Sequence, residues 1–175
     1  MSLKRRAIFA ATVLAVAAAD QASKAVAAAH LGAEPARMVA LGPIRLQLVR
    51  NPGAAFGLGP GLTVWITVIT LAALVLLARM GWRAGAPAWA AVFGLIAGGA
   101  LGNGIDRLAR GPAPFHGAVV DWIKLPFYGP VFNLADIALR GGMLLALVLL
   151  LRTNTNRAAG SADVAGNPAA TIEGA

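Results

Sequence analysis

Four long apolar stretches, about residues 7 to 29, 62 to 80, 87 to 105 and 132 to 151, dominate the pattern of the chain. A helix needs about 20 mainly apolar residues to cross a hydrocarbon core of roughly 30 Å, so each stretch is predicted to be a membrane-spanning helix. Two longer connections have a different rhythm. In the first, Ile44, Arg45, Leu46, Gln47 and Leu48 alternate apolar and polar with period two, which predicts a half-buried strand, and Asn51, Pro52 and Gly53 supply a turn after it. In the second, the Val-rich segment Ala118 to Lys124 suits a strand with Val119, Asp121 and Ile123 on one face. Leu125, Pro126, Phe127, Tyr128, Gly129 and Pro130 then turn the chain back. The expected fold is mainly α: four transmembrane helices with a small extracytoplasmic β-sheet. They form a single domain over residues 1 to 157, followed by a disordered cytoplasmic tail from 158 to 175.

Composition strengthens the membrane reading. Hydrophobic residues make up 58% and charged residues only 13% of the 175 positions, against about 25% charged in ordinary soluble domains, and the mean hydropathy is +0.72. With no cysteine there can be no disulfide framework, thiolate metal site or cysteine nucleophile. The net charge of +8, from 15 Lys plus Arg and 7 Asp plus Glu, does not point to nucleic acid. Lys4 to Arg6 is the sole basic run, and aromatics are 6% of the chain. Positive flanks of membrane spans account for the excess. Lys4 to Arg6, Arg79, Arg83, Arg152 and Arg157 place both termini and the second-to-third connection in the cytoplasm. The other two connections then face outward, although they carry Arg37, Arg45, Arg50, Arg107, Arg110 and Lys124. The basic head, the apolar run from Ala7 to Ala19 and the small residues Ala17 to Ala19 also fit a cleavable secretory signal. Asp20, Gln21 and Lys24 interrupt that run, and Ala25 to Ala29 continue it with good helix formers, which favours an uncut first helix.

Ionisable groups inside a membrane cost at least a few kcal/mol each, so their positions carry information. Asp20 and Lys24 are four apart on the first helix. Asn103, Asp106 and Arg107 share a face at the outer end of the third, and Asn133 and Asp136 lie on the outer first turns of the fourth. Three helices thus bring polar groups to one depth. Plain structural readings stand beside this: an internal ion pair, an interfacial anchor, or polar glue between helices. Gly98, Gly99 and Gly102 suit close helix contact, Thr63, Thr67 and Thr70 suit packing or backbone bonding, and His30 and His116 make no convincing metal site. Asp121 and Asp136 have no obvious cation from the adjoining outer loop. Two carboxylates in one partly desolvated site would differ in proton occupancy, one taking a proton from water and the other donating to a carbonyl or a leaving nitrogen. The spacing equally allows a solvated loop residue and a helix cap. Proton-coupled transport through intramembrane carboxylates, and a purely structural membrane partner, are the competing functional classes.

The residues also stand in the order of a known family. Asp20, Gln21, Ala22, Ser23 and Lys24; Asn51, Pro52, Gly53, Ala54, Ala55, Phe56 and Gly57; Gly98 to Asn103 through Asp106 and Arg107; Val119, Val120 and Asp121; and Phe132, Asn133, Leu134, Ala135 and Asp136 together span residues 20 to 136. In this the chain resembles prolipoprotein signal peptidase, or signal peptidase II, an aspartic peptidase of the bacterial inner membrane. The resemblance implies Asp121 and Asp136 as the catalytic pair. It implies Asp20, Lys24, Asn51, Asn103, Arg107 and Asn133 as residues supporting the site, the substrate backbone or the fold. It further implies a diacylglyceryl-modified prolipoprotein substrate cut just before the lipidated cysteine, contact with membrane lipid, a site near the outer face, and no metal or other cofactor. Three departures stand out. Ile137 follows the second aspartate where a small polar residue is more usual, Arg140 is placed to pair with the charged form of Asp136 and so favour it as the ionised member, and Arg110 to Gly117, with Pro112, Pro114 and His116, is longer than usual and is expected to reshape the substrate entrance.

Overall fold

The structure, a computed structural model, describes residues 2–32, 38–53 and 62–166, with side chains as far as residue 155. Its order is α1 (Leu3–Leu31), β1 (Met38–Leu41), β2 (Ile44–Asn51), α2 (Thr63–Trp82), α3 (Pro87–Ala109), β3 (Val119–Lys124), β4 (Val131–Phe132) and α4 (Leu134–Gly166). The strands form one antiparallel sheet in the order β1-β2-β3-β4. The architecture is therefore a mainly helical membrane fold with a small sheet. Three helices, α2, α3 and residues Leu134–Thr155 of α4, are long and apolar enough to cross a bilayer. The fourth expected span corresponds to α1, whose 29 residues have the length but whose apolar run is broken by Asp20, Gln21 and Lys24.

Exposure follows from that setting. Side chains such as Trp65, Ile69 and Val75 of α2 and Leu144, Leu147 and Leu151 of α4 are more than half exposed, a distribution that suits hydrocarbon rather than water. Helix α3 is the buried centre. Small residues let it approach both neighbours: a Cβ built on Gly94 would lie 2.7 Å from the Thr12 Cβ, one on Gly98 2.7 Å from the Val16 Cβ, and one on Gly99 2.5 Å from the Ala135 carbonyl oxygen. Gly94 and Gly98 thus face α1, and Gly99 faces α4, which is the close-contact role expected of Gly98, Gly99 and Gly102.

Both predicted strands are present, and β2 runs three residues further than its alternating pattern. Between Leu46 and Val49 its register against β3 shifts, so that Leu46 faces Ile123 while Val49 faces Asp121. The extra residue absorbed there breaks the simple period-two pattern. Strands β1 and β4 have no signal of their own, being four and two residues long with no alternation. A two-residue turn at Gly42, with φ of 60°, folds β1 onto β2. Helix α4 continues past residue 151 to Gly166 and so replaces part of the tail expected from 158. Thr153 and Thr155 donate back to the carbonyls of Leu149 and Leu151, at 2.8 and 3.0 Å, and the alanine-rich stretch beyond has no proline before Pro168. The remaining tail, 167–175, and the motif residues Ala54 to Gly57 lie outside the described residues.

The packing gives a paired prediction. Gly98→Ala would press a methyl group into Val16 and should destabilise the protein by about 1–3 kcal/mol. A Cβ built on Gly141 of α4 would meet nothing within 4 Å among the described residues, and Gly141→Ala should leave thermal stability unchanged or raised. Melting temperatures of both variants in one detergent check the contrast.

Candidate active site

Asp20 and Lys24 are one helical turn apart on α1, and both side chains are fully buried. The Lys24 Nζ lies 2.7 Å from the Asp20 Oδ2, 2.8 Å from the Asp106 Oδ2 of α3, and donates to the Asn103 Oδ1 at 2.9 Å. A buried ammonium survives only when its protons are all taken by good acceptors, and here three acceptors meet three protons. Each carboxylate in turn holds backbone. The Asp20 Oδ1 accepts the Ala135 N–H at 3.0 Å, satisfying an otherwise orphaned donor in the first turn of α4. The Asp106 Oδ2 accepts the Val120 N–H at 3.0 Å and so fixes β3 beside α3. Gly102 must lack a side chain here, since a Cβ would stand 2.5 Å from the Asp20 Oδ2.

The next layer consists of amides. Lysine can only donate, so the Asn103 oxygen has to face Lys24 and its nitrogen must point the other way, where it donates to the Asp136 Oδ1 at 3.1 Å. Asn133 sits just before α4, and its Oδ1 accepts the Asp136 N–H at 3.0 Å as a helix cap. Its Nδ2 donates to the Asp121 Oδ1 at 2.6 Å and to the Asn103 Oδ1 at 3.1 Å. From β2, the Asn51 Nδ2 donates to the Asp121 Oδ2 at 3.2 Å, while its Oδ1 accepts the Gly53 N–H at 3.0 Å. The expected Asn51–Gly53 turn is this contact.

Asp121 and Asp136 line one cavity of about 120 Å³, with Asn51, Asn103, Arg107 and Arg140 among its other walls. A wider groove of about 310 Å³ shares Asn51, Asp121, Pro130 and Val131 with it and extends along β2. Asp121 is 3% exposed. Burial raises its carboxyl above the usual range and the neighbouring Asp136 charge raises it further, while the Asn51 and Asn133 amides and Lys24 oppose this, leaving it at about 6. Arg107 donates from Nη2 to the Gly53 carbonyl at 2.7 Å, and its buried Nη1 has no partner among the described residues.

All eight candidate residues thus meet: Asp121 and Asp136 at the cavity, Asn51, Asn103, Asn133 and Arg107 around them, Asp20 and Lys24 beneath. Besides Asp106, two further residues of the network lie outside those eight. Gln21 donates from Nε2 to the Asp106 Oδ1 at 3.0 Å and to the Gly102 carbonyl at 2.9 Å. Arg110 donates to the Asp106 Oδ1 at 2.7 Å and to the Gln21 Oε1 at 3.2 Å. Its four-residue spacing from Asp106 was a visible signal, obscured because Arg110 reads as the start of a loop. With it, two cations balance two buried anions. The expected pairing of Arg140 with Asp136 is corrected. No ion pair joins them among the described residues; the Arg140 guanidinium lies over the Tyr128 and Phe132 rings, 5.6 and 5.9 Å from their centroids, where the aromatic faces compete for it. Thr67 and Thr70 bond to the backbone one turn earlier, as expected, and Thr63 holds the Pro52 carbonyl at 2.6 Å.

The family described as Signal peptidase (SPase) II matches residues 12–152. The chain belongs to the signal peptidase II family. It is 41% identical over 138 residues to the lipoprotein signal peptidase of Rhodococcus jostii, covering 78% of this chain and 68% of that protein. It is 46% identical over 109 residues to that of Streptomyces coelicolor, covering 62% and 53%. The chain thus spans about half to two thirds of the length of these relatives. A bacterial membrane enzyme solved by the in meso method at 2.3 Å resolution has a TM-score of 0.72 and 28% identity, over 85% of this chain and 90% of that one. Family membership and the apolar helices make the protein a multi-pass membrane protein of the bacterial inner membrane, and the transporter alternative finds no support in these relationships.

Two outcomes follow from the geometry. Lys24→Met, nearly isosteric, leaves Asp20 and Asp106 buried against an apolar tip and should cost about 3–5 kcal/mol or prevent folding, measured as recovery and melting in detergent. Asp121 titrates higher when folded than its ordinary 3.8, so its contribution to stability is complete below pH 3.8 and lost as pH rises through about 6. Asp121→Asn should therefore be more stable than the parent at pH 8, by about 1–3 kcal/mol, and equal to it near pH 4, read from denaturation at the two pH values.

Proposed function

We propose that this protein removes the signal peptide from diacylglyceryl-modified prolipoproteins, cutting just before the lipidated cysteine, with Asp121 and Asp136 activating the attacking water. The observation that carries this reading is the shared cavity of the two carboxylates, in which Asp121 is desolvated and holds its proton more tightly than an ordinary aspartate. Asp136 takes a proton from water as the hydroxyl attacks the scissile carbonyl carbon, and Asp121 gives its proton to the carbonyl oxygen. On collapse of the tetrahedral intermediate, Asp136 passes its proton to the departing nitrogen and Asp121 recovers one from a hydroxyl, so the pair ends as it began. In this scheme the proton stays on the buried Asp121, so Asp136 serves as the base without help from Arg140.

Asn51, Asn103 and Asn133 hold the two carboxylates in place, and Asp20 and Lys24 hold the amides. The unpartnered Arg107 Nη1 is a donor for a substrate carbonyl, and the groove along β2 takes the peptide in extended form. The reading includes α1 as a fourth span, both termini in the cytoplasm, and the cavity at the outer face, where a bilayer-anchored substrate and water can meet. The basic flanks Lys4 to Arg6, Arg79, Arg83 and Arg152 support that orientation.

With a diacylglyceryl-modified precursor in detergent, Asp121→Asn and Asp136→Asn should each lose turnover by at least about 10²- to 10⁴-fold while remaining folded. Near-native turnover by either variant would remove that aspartate from the mechanism. The same precursor without its lipid should be cut far more slowly, and equal rates on both would refute the substrate assignment.

A further inference from the structure

The two hairpin turns, 41–44 and 124–131, lie at the same end of the sheet, because β1 and β2 meet at Leu41↔Ile44 while β2 and β3 meet at Arg45↔Lys124. The row there reads Ala40, Arg45, Lys124, Val131 across all four strands. Two cations stand directly opposite each other with no acid in the row, an arrangement that is destabilising unless an anion joins them. Around them Leu41 is 58% exposed, Ile44 and Leu125 more than a third, and Phe127, at the tip of the second turn, is fully exposed.

This end of the sheet is tied to membrane depth. Val131, opposite Lys124, is three residues before Leu134, where the apolar span of α4 begins, a reach of at most about 10 Å. The second turn is also fastened to α4, since Tyr128 packs edge-on against Phe132 at 5.8 Å and carries the Arg140 guanidinium on its face. Lys124 donates to the Gly129 carbonyl, which holds its ammonium beside the turn. Exposed apolar side chains and two cations thus stand together at the end of the sheet that leads into a spanning helix, a combination that matches the acyl and headgroup layers of a lipid monolayer.

We infer that this end of the sheet inserts into the outer leaflet, with Phe127 and its apolar neighbours among the acyl chains and Arg45 and Lys124 together holding the phosphate of an anionic glycerophospholipid. The inference takes the outer side from the orientation proposed above and otherwise rests on the sheet and α4, so it stands whichever reaction the cavity performs. It also gives the like-charged pair a reason: the lipid phosphate is an anion that the row itself does not supply.

Because the chain contains no cysteine, Phe127→Cys in the full-length protein can carry a single fluorescent label. In nanodiscs containing brominated phosphatidylglycerol the label should be quenched strongly, and in nanodiscs with the same fraction of brominated phosphatidylcholine more weakly, the lipid enrichment differing on the order of tenfold. Adding Arg45→Gln and Lys124→Gln should abolish the difference without lowering the melting temperature. Quenching by neither lipid would place the tip in water and overturn the insertion. Equal quenching by both, or a difference that persists in the double variant, would overturn the phosphate clasp. Should the label itself disturb the turn, phosphatidylglycerol retention by the unlabelled parent and double variant, read by native mass spectrometry, decides the same point: equal retention refutes it.

Discussion

One buried ammonium holds this fold and its candidate site in a single register. Lys24 brings together α1 through Asp20, and α3 through Asp106 and Asn103, and its partners reach on to the first turn of α4 and the backbone of β3. None of these groups is tolerable alone at such depth. An isolated buried charge costs several kcal/mol, and removing one partner leaves the rest uncompensated. The arrangement is therefore all-or-none, and the glycines of α3 are its steric condition, because only a helix without side chains on that face can come near enough for the contacts to form.

The same constraint reaches the cavity through chemistry rather than packing. A donor-only lysine decides which end of the Asn103 amide faces Asp136, and Asn133, shared between Asn103 and Asp121, carries that decision to the second carboxylate. The two aspartates sit in unlike surroundings as a result. Asp121 lies on a strand in a desolvated position, whereas Asp136 begins a helix whose first-turn donors are capped by Asn133 and Asp20. That asymmetry is what a metal-free hydrolytic pair needs, since two carboxyls in equal environments could not divide the tasks of acid and base.

How much of this was legible in the sequence depended on the range of the interaction. Spans were readable because hydrophobicity over some twenty residues is a one-dimensional signal, and Asp20 with Lys24, or Asn133 with Asp136, was readable because helical spacing puts such pairs on one face. The order of the motifs pointed to the family that the relationships to lipoprotein signal peptidases then supported. Contacts that close only in three dimensions left no trace: β4 is two residues long and exists because β3 is beside it, and Arg140 prefers two rings brought in by a turn over the carboxylate one helical turn away. Arg110 shows the middle case. Its spacing from Asp106 was visible, but only the buried charge balance gives that spacing a meaning.

The central claim is that the Lys24-anchored amides hold two aspartates in different protonation states within one cavity. Difference infrared titration of the full-length protein, with Asp121→Asn and Asp136→Asn as references, reads this directly. The account predicts a protonated carboxyl band that disappears with a midpoint near pH 6 and is missing from Asp121→Asn. A band that survives in Asp121→Asn, or two carboxyls losing their protons together at an ordinary aspartate value, would contradict it.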